Sequence, residues 1–450
     1  MKDKIFEYLK SKGKILILGY GKEGESTYNL IRSIDSSIPI GIADKKELNN
    51  EKLLSDNNVT LYMGDNYLDS CKEYDVIIKG PGVIIKDYLS SDIKKRITSQ
   101  TDLFVQFCNA KIIGITGTKG KSTTSSLMYH ILKSLGKKTI LMGNIGIPVF
   151  DVIDEVDDDT ICVIELGCHQ LEYMTHSPNI SVILNIYEEH LDHYLSMTHY
   201  IDSKKNIYKY QNDNDIVLLG DSPYLKDNDM KSIVIRNDNS SINNFYLTDD
   251  ELVINFNSNT IHIPRTDINT SLKGEHNLSN ILICLTIIYV LGLDINESIK
   301  AISSFNGLPH RMENIGIYND ITYYDDSIAT SIPSVIYAIK ALEKVDTIII
   351  GGMDRGIDYI DLVNYLNESS VNNILLLPDT NNRIYSLFNK INSNKNVVIV
   401  NNMEEAVKIA KEVTKKGKIC LLSPAAASYG FYKNFEERGN HFQSLVKGDN

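Results

Sequence analysis

The chain has no tryptophan, and its six cysteines (Cys71, Cys108, Cys162, Cys168, Cys284 and Cys420) are scattered without C-x-x-C spacing. That scatter speaks against a zinc site and predicts buried free thiols in a reducing cytoplasm. The missing tryptophan, beside abundant Asn, Asp, Ser, Lys and Ile, reads as base-composition bias rather than chemistry. Basic charge is also short. The 46 Lys and Arg against 58 Asp and Glu leave a net charge of −12, which argues against a nucleic-acid partner. Long hydrophobic runs are lacking too: the longest, Ile281 to Leu293, is too short to span a bilayer. The opening Met1-Lys2-Asp3-Lys4-Ile5-Phe6 holds acidic residues and no apolar core of signal-peptide length, so no membrane partner is expected. What is present, 42% hydrophobic and 23% charged residues over 450 positions, fits a globular protein of about three domains, and the alternation of strands and helices along it makes the expected class α/β.

Strand-like and helical runs alternate in three blocks. The first, residues 1–106, opens with Lys14 to Leu18, the turn Gly19-Tyr20-Gly21-Lys22-Glu23-Gly24, and a helical pattern to Ile34. A second strand, Ile38 to Ala43, ends at Asp44, and a third, Asp75 to Lys79, ends in Gly80-Pro81-Gly82. Such alternation predicts a parallel sheet with ligands beyond the carboxyl ends of its strands. The Gly19/Gly21/Gly24 spacing suits a dinucleotide or a nucleotide-sugar phosphate alike. The second block, 107–307, carries expected strands at Lys138 to Met142, Thr160 to Glu165 and Ile180 to Asn185, then a β-prone stretch, Asp213 to Thr266, expected to form hairpins or an edge sheet. The third, 308–450, repeats the alternation with strands at Val345 to Ile350, Asn373 to Leu377, Asn396 to Val400 and Lys418 to Leu422. A helix over Asn402 to Lys415 should pack through Ala406, Ile409, Ala410 and Val413.

The strongest signal lies at the head of the second block. The apolar run Lys111 to Ile115 empties into Thr116-Gly117-Thr118-Lys119-Gly120-Lys121-Ser122-Thr123-Thr124, followed by a helical stretch, Ser125 to Leu135. A strand, a glycine turn and a helix in that order hold a polyphosphate: backbone N–H groups face the anion, Lys121 adds a charge, and Ser122 can ligate Mg²⁺. ATP or GTP is the expected ligand. Glu165, closing an apolar strand, is the candidate to complete the metal shell. Glu188, Glu189, His190, Asp192 and His193 follow another strand and suit a second hard cation or a phosphate. Lys204 and Lys205 on a helical stretch read as solvated charge when taken alone. Arg311, in Leu308-Pro309-His310-Arg311, stands at the second block junction, where an arginine can serve a γ-phosphate. Asp325-Asp326-Ser327 and Ser423 to Ser428 follow strands of the third block, at ligand positions of an open sheet.

Taken in order, these segments resemble the Mur ligases of peptidoglycan synthesis along nearly the whole chain. The motifs are Gly117 to Thr123, Gly143-Asn144-Ile145-Gly146, Glu165 to Glu172, Glu189-His190-Leu191-Asp192, Lys204, Gly274 to Asn280, Leu308 to Arg311, Gly351-Gly352 and Ser423 through Gly439. The last segment points to the glutamate-adding branch. The resemblance implies three domains: a Rossmann-like one for a UDP-substrate, a central P-loop ATPase and a Rossmann-like one for the amino acid. By resemblance, Gly117, Thr118, Lys119, Gly120, Lys121, Ser122 and Thr123 hold ATP with Asn277, Asn280, Arg311 and Asp326. Two Mg²⁺ ions fall to Ser122, Glu165, His190 and Lys204, the last as a carbamate formed with CO₂. Lys121, Lys204, His190 and Arg311 are the implied catalytic set. Gly19, Gly21, Gly24, Asp44, Gly80, Pro81, Gly82 and Asn144 would bind UDP-N-acetylmuramoyl-L-alanine, and Thr330, Arg355, Ser428 and Phe435 the incoming glutamate. A monomer is expected.

The chain departs from the family at the amino-acid end. Ile328, in Asp326-Ser327-Ile328-Ala329-Thr330, and Arg355, in Gly352-Met353-Asp354-Arg355-Gly356, stand where the family usually has lysine, and Gly167-Cys168-His169-Gln170 replaces Ser-Ser-Phe-Gln. An arginine still holds a carboxylate but with different reach. D-glutamate is the first expectation and an L-glutamate-adding variant the rival. A folylpolyglutamate-synthetase-like ligase would share the ATP core without the first block, and a silent amidotransferase-partner relative would carry a four-cysteine zinc cluster.

Overall fold

The computed structural model describes residues 1–450 except 86–87, 190–192, 227–229, 273 and 449–450. Its first sheet is parallel, with strands β1 (Ile15–Leu18), β2 (Ile40–Asp44), β3 (Val59–Met63), β4 (Val76–Lys79) and β5 (Ile97–Thr98) in the order β3-β2-β1-β4-β5. The sequence predicts three strands here and the structure has five. β3 is half exposed along its length and β5 has only two residues, so neither carries a buried strand's apolar run. Strand order reverses between β1 and β4, which is where such sheets bind ligands, and Gly19 and Gly80 follow those two strands. Gly19 adopts φ 91°, and a Cβ on Gly24 would lie 2.1 Å from the Gly19 carbonyl oxygen. The Lys22–Ile34 helix therefore starts in backbone contact with the turn.

Nine strands form the second sheet: β6 (Lys111–Thr116), β7 (Thr139–Gly143), β8 (Ile161–Glu165), β9 (Ile180–Ile183), β10 (Ile216–Leu219), β11 (Ile233–Arg236), β12 (Asn244–Leu247), β13 (Glu251–Phe256) and β14 (Asn259–Pro264). Their order is β14-β13-β12-β11-β10-β9-β6-β8-β7. The stretch expected as hairpins or an edge sheet divides: β10 and β11 extend the parallel sheet, and β12 to β14 close it as an antiparallel edge. The helix after β6 is Lys121–Ser134, four residues earlier than the expected start at Ser125. Gly120, at φ 88°, turns the chain straight into it as N-cap, so Lys121 and Ser122 lie in the first helical turn.

The chain divides into two compact units, Met1–Asn269 with His276–Ser303, and Thr270–Glu275 with Ser304–Asn450. Both sheets above belong to the first unit and share an apolar core running from Ile5, Leu9 and Phe104 to Ile112, Ile183 and Val217. Each such side chain contributes about 1.5–3 kcal/mol by leaving water. The second unit holds β15 (Glu313–Tyr318), β16 (Ile321–Asp325), β17 (Val345–Gly351), β18 (Asn373–Leu377), β19 (Asn396–Ile399) and β20 (Ile419–Leu422), in the order β15-β16-β20-β17-β18-β19 with β15 alone antiparallel. The helix expected over 402–415 runs Met403–Val413, capped by the Asn402 side chain. Its buried face is Met403, Ala406, Val407 and Ala410, while Ile409 and Val413 are only half-buried.

Substituting Gly24→Ala should destabilise the first unit by about 1–3 kcal/mol, because the new methyl meets backbone rather than a mobile side chain. Urea unfolding measures this, and an unchanged midpoint would mean that the turn yields freely.

Candidate active site

At the carboxyl end of β6 the chain folds into a loop clamped from the next strand over. Asn185, just past β9, accepts the Thr118 N–H through its carbonyl at 3.0 Å and the Lys119 N–H through Oδ1 at 2.9 Å, while its Nδ2 donates to the Lys119 carbonyl at 3.0 Å. Thr118 Oγ1 meets the Tyr200 hydroxyl at 3.0 Å and accepts the Tyr187 N–H at 2.9 Å. Gly117 packs so tightly that a Cβ would lie 2.9 Å from the Leu184 Cβ. The clamp holds Gly117 to Thr123 around the start of the 14-residue helix, whose first turn has no side-chain cap, so its N–H groups are available to an anion. Asn280, expected at the nucleotide base, lies against this turn: a Cβ on Gly120 would come 3.1 Å from its Oδ1. Asn280 also donates to Asn277 at 3.3 Å.

Two ammonium groups converge on one oxygen of the loop. Lys121 Nζ and Lys204 Nζ each donate to the Gly117 carbonyl at 2.9 Å, and Lys121 also reaches the Thr118 carbonyl at 3.1 Å. Lys204 is 1% exposed and stands over the Tyr200 ring at 5.0 Å. Burial, with the Lys121 charge adding to it, brings its pKa down to about 8. Burial lowers Lys121 as well, opposed by Glu165. The solvated charge that the sequence alone suggested for Lys204 is thus wrong, since its helix, Met197–Lys209, turns this residue inward.

Glu165 ends β8, the strand beside β6, and is 1% exposed. Asn144 donates to its Oε1 at 2.7 Å and Ser125 to its Oε2 at 3.5 Å. A carboxylate offers about four acceptor positions, so two remain after these bonds. Together with the Ser122 hydroxyl this is a hard oxygen set suited to Mg²⁺. His190, the expected second ligand, lies outside the described residues.

In the first sheet Gly19 and Gly80 come together, a Cβ on Gly80 lying 3.3 Å from the Gly19 carbonyl, while Gly21 and Gly82 border open space. Asp44 holds the turn itself: its Oδ2 accepts the Tyr20 N–H at 2.7 Å. In the second unit Asp326 is buried, accepts Ser423 Oγ at 2.7 Å and the Met312 N–H at 3.2 Å, and is pushed up by burial to about 7. Arg311, whose charge opposes that upward push on Asp326, is exposed. Ser428 lines a cavity of about 250 Å³ with Gly352, Tyr432 and Arg438. The Phe435 carbonyl accepts Ser327 Oγ at 2.9 Å, whereas Thr330 and Arg355 are exposed, Arg355 lying 5.8 Å from the Tyr429 ring centre. Asn185, Tyr200 and Ser125 were not legible as site residues, although a polar residue directly after a buried strand is the signal that marks Asn185.

A glycine loop that leads from a strand into an uncapped helix N-terminus, with a buried carboxylate one strand over, places the first unit in the P-loop class of nucleotide-using proteins. Two family models match: the Mur ligase middle domain over residues 115–288 and the Mur ligase glutamate ligase domain over residues 310–426. Among curated relatives, a UDP-N-acetylmuramoylalanine–D-glutamate ligase of Clostridium botulinum is 35% identical, covering 98% of each chain. One from Clostridium kluyveri is 33% identical over 99% of this chain and 98% of its own. The MurC ligase of Thermotoga maritima has the same fold at a TM-score of 0.57 and 17% identity, covering 97% of this chain and all of that one. The MurF ligase of the same organism, solved with ADP, gives 0.55 at 16% identity and 98% coverage of both. The chain belongs to the Mur ligase family.

Lys204→Met should make the ligand-free protein more stable at pH 7, by about 1–3 kcal/mol, because it removes a charge that burial disfavours. The sign follows from the depressed pKa. Below about 8 the folded protein carries the whole burden of the buried ammonium, and the burden fades as pH rises towards the unfolded value near 10.5. The advantage of the variant should therefore shrink between pH 7 and pH 10 in urea melts; an advantage that grew with pH would contradict the assignment.

Proposed function

We propose that the protein is the ATP-dependent ligase that joins D-glutamate to UDP-N-acetylmuramoyl-L-alanine in peptidoglycan precursor synthesis. The observation that carries this reading is kinship with D-glutamate-adding ligases over 98% of the chain, together with Lys121 and Lys204 meeting at the Gly117 carbonyl and the Glu165 charge acting on Lys121. Residues 1–106 then take the UDP-substrate, 107–307 ATP, and 308–450 the amino acid. The enzyme acts as a monomer in the cytoplasm, a compartment that suits six free thiols.

The chemistry has two steps. The alanyl carboxylate attacks the γ-phosphorus of ATP, forming an acyl phosphate and releasing ADP. The glutamate amine then adds to the acyl carbon, loses its proton, and expels phosphate as the amide forms. Lys121 and the first-turn N–H groups of its helix hold the phosphates through both steps. Arg311 offsets charge on the transferring phosphoryl group, and Asp326 stays beside it. Ser122, Glu165, His190 and a carbamylated Lys204 are the groups to hold Mg²⁺, which supplies further neutralisation of that charge. Carbamylation needs a neutral amine, because the nitrogen lone pair attacks CO₂ and a proton leaves. A lysine titrating near 8 offers that form at neutral pH, where an ordinary lysine does not. The product is an anion where two ammonium groups now crowd one carbonyl. Asn144, expected against the muramoyl group, also fixes the Glu165 carboxylate.

The rival, addition of L-glutamate, draws on Ile328 and Arg355, which change the cations available to the amino acid. Offering D-Glu, L-Glu, D-Asp and L-Lys with the nucleotide substrate and following phosphate release should show a strong preference for D-Glu. Preference for L-Glu would overturn the assignment and credit those two positions. Lys204→Ala should abolish ligation, and short carboxylic acids should restore part of it by standing in for the carbamate. Near-normal activity in the variant would remove Lys204 from the mechanism.

A further inference from the structure

Behind the active-site strands a second polar cluster ties the two sheets of the first unit together. The Cys168–Leu171 helix, just after Glu165, sends Gln170 back to the glycine turn of the first sheet. Gln170 Oε1 accepts the Gly167 N–H at 2.9 Å, and its Nε2 donates to Glu23 Oε1 at 2.6 Å. Glu23 lies in the first turn of the helix that follows Gly21, and its other oxygen, Oε2, is buried without a hydrogen-bond partner among the described residues. Two residues beyond Gln170, the Glu172 carboxylate meets three basic groups: His193 Nε2 at 3.0 Å, Lys79 Nζ at 3.7 Å and His199 Nε2 at 3.8 Å.

Each of those groups sits on a different segment of the proposed site. Lys79 ends β4 and directly precedes Gly80-Pro81-Gly82, and it also donates to the Gly80 carbonyl at 3.4 Å. His193 belongs to the stretch after β9 that begins with the loop clamp Asn185. His199 shares a helix with Lys204, and Asn206 of that helix donates to the Leu171 and Glu172 carbonyls at 3.0 and 3.3 Å. Lys79 and Glu172 are almost fully buried, with side chains 2% and 4% exposed. A buried ammonium that loses its carboxylate is strongly disfavoured and must move or deprotonate. Burial pushes Glu172 up, yet His193, Lys79 and His199 hold it below the ordinary carboxylate range, so it stands as the anion they need.

We propose that Glu172 is a positioning residue for the ligation: itself held by His193 and His199, it sets the Gly80–Gly82 loop through Lys79, so that the nucleotide-sugar substrate is held in register. The inference rests on the ligase reading above. Glu172 touches no reacting atom, and its effect should appear in how the nucleotide-sugar substrate is held.

Steady-state kinetics of the full chain test this with Glu172→Gln, which keeps the size and removes the charge. The KM for UDP-N-acetylmuramoyl-L-alanine should rise about tenfold or more while the KM for ATP stays within about twofold. Lys79→Met should do the same, and the double variant should be little worse than either single one, because both break one link. Equal rises in both KM values, or additive effects, would overturn the proposal in favour of general structural support. If Glu172→Gln does not fold, Lys79→Arg decides: it keeps the charge and changes the reach, so an unchanged nucleotide KM would overturn the proposal. A parent enzyme that forms no amide sinks the ligase reading and this one with it; a parent that ligates beside unaffected variants sinks this one alone.

Discussion

Two ammonium groups, Lys204 buried and Lys121 half-buried, share one backbone carbonyl, that of Gly117. Each is within hydrogen-bond reach of the same oxygen, so their mutual repulsion is on the order of 3 kcal/mol at an effective dielectric constant of about 20. No side-chain carboxylate forms an ion pair with either among the described residues, and Glu165 acts on Lys121 only at longer range. The site is thus charged in advance for anions. Phosphates at the helix N-terminus are anions that such a site favours. Preorganised charge of this kind needs no rearrangement at the moment of reaction.

The fold supplies the geometry at little cost to the chain. β6 lies between β8 and β9, so the phosphate loop has Glu165 on one side and the Asn185 clamp on the other. Glycines stand where a side chain would strike backbone or a neighbouring residue: Gly117 against Leu184, Gly24 against the Gly19 carbonyl. The same arrangement, a glycine turn beyond a strand end, occurs where β1 and β4 part. Tyr20 and Asp44 lock that turn through one backbone hydrogen bond, which makes Asp44 a structural partner as well as a ligand candidate. The polar cluster around Glu172 links the two glycine-rich regions through charge rather than apolar packing, which fixes register more sharply than a greasy contact would.

Much of this was legible in the sequence because glycine spacing and apolar runs are local signals. The phosphate turn, Glu165 and the parallel sheets follow from strand, turn and helix in that order. The Lys204 side chain could not be placed that way: a lysine on an amphipathic helix looks solvated, and only tertiary packing turns it to Gly117. The role expected for it comes from family resemblance alone. Asn280 shows the opposite limit, since the motif it belongs to is recognisable while its neighbour, Gly120, is set by how the Glu275–Val290 helix lies against the loop. β3 was missed because a half-exposed strand lacks a buried apolar run, β5 because two residues form no pattern, and the Lys121 helix start because a left-handed glycine, not a capping side chain, begins it.

The central claim is that this cationic loop activates a carboxylate by phosphorylating it. The most direct measurement is the fate of oxygen-18 placed in the alanyl carboxylate of the nucleotide substrate during one round of ligation. Transfer through an acyl phosphate predicts one labelled oxygen in the released inorganic phosphate and one retained in the new amide. Phosphate free of label, with amide still formed, would contradict the account.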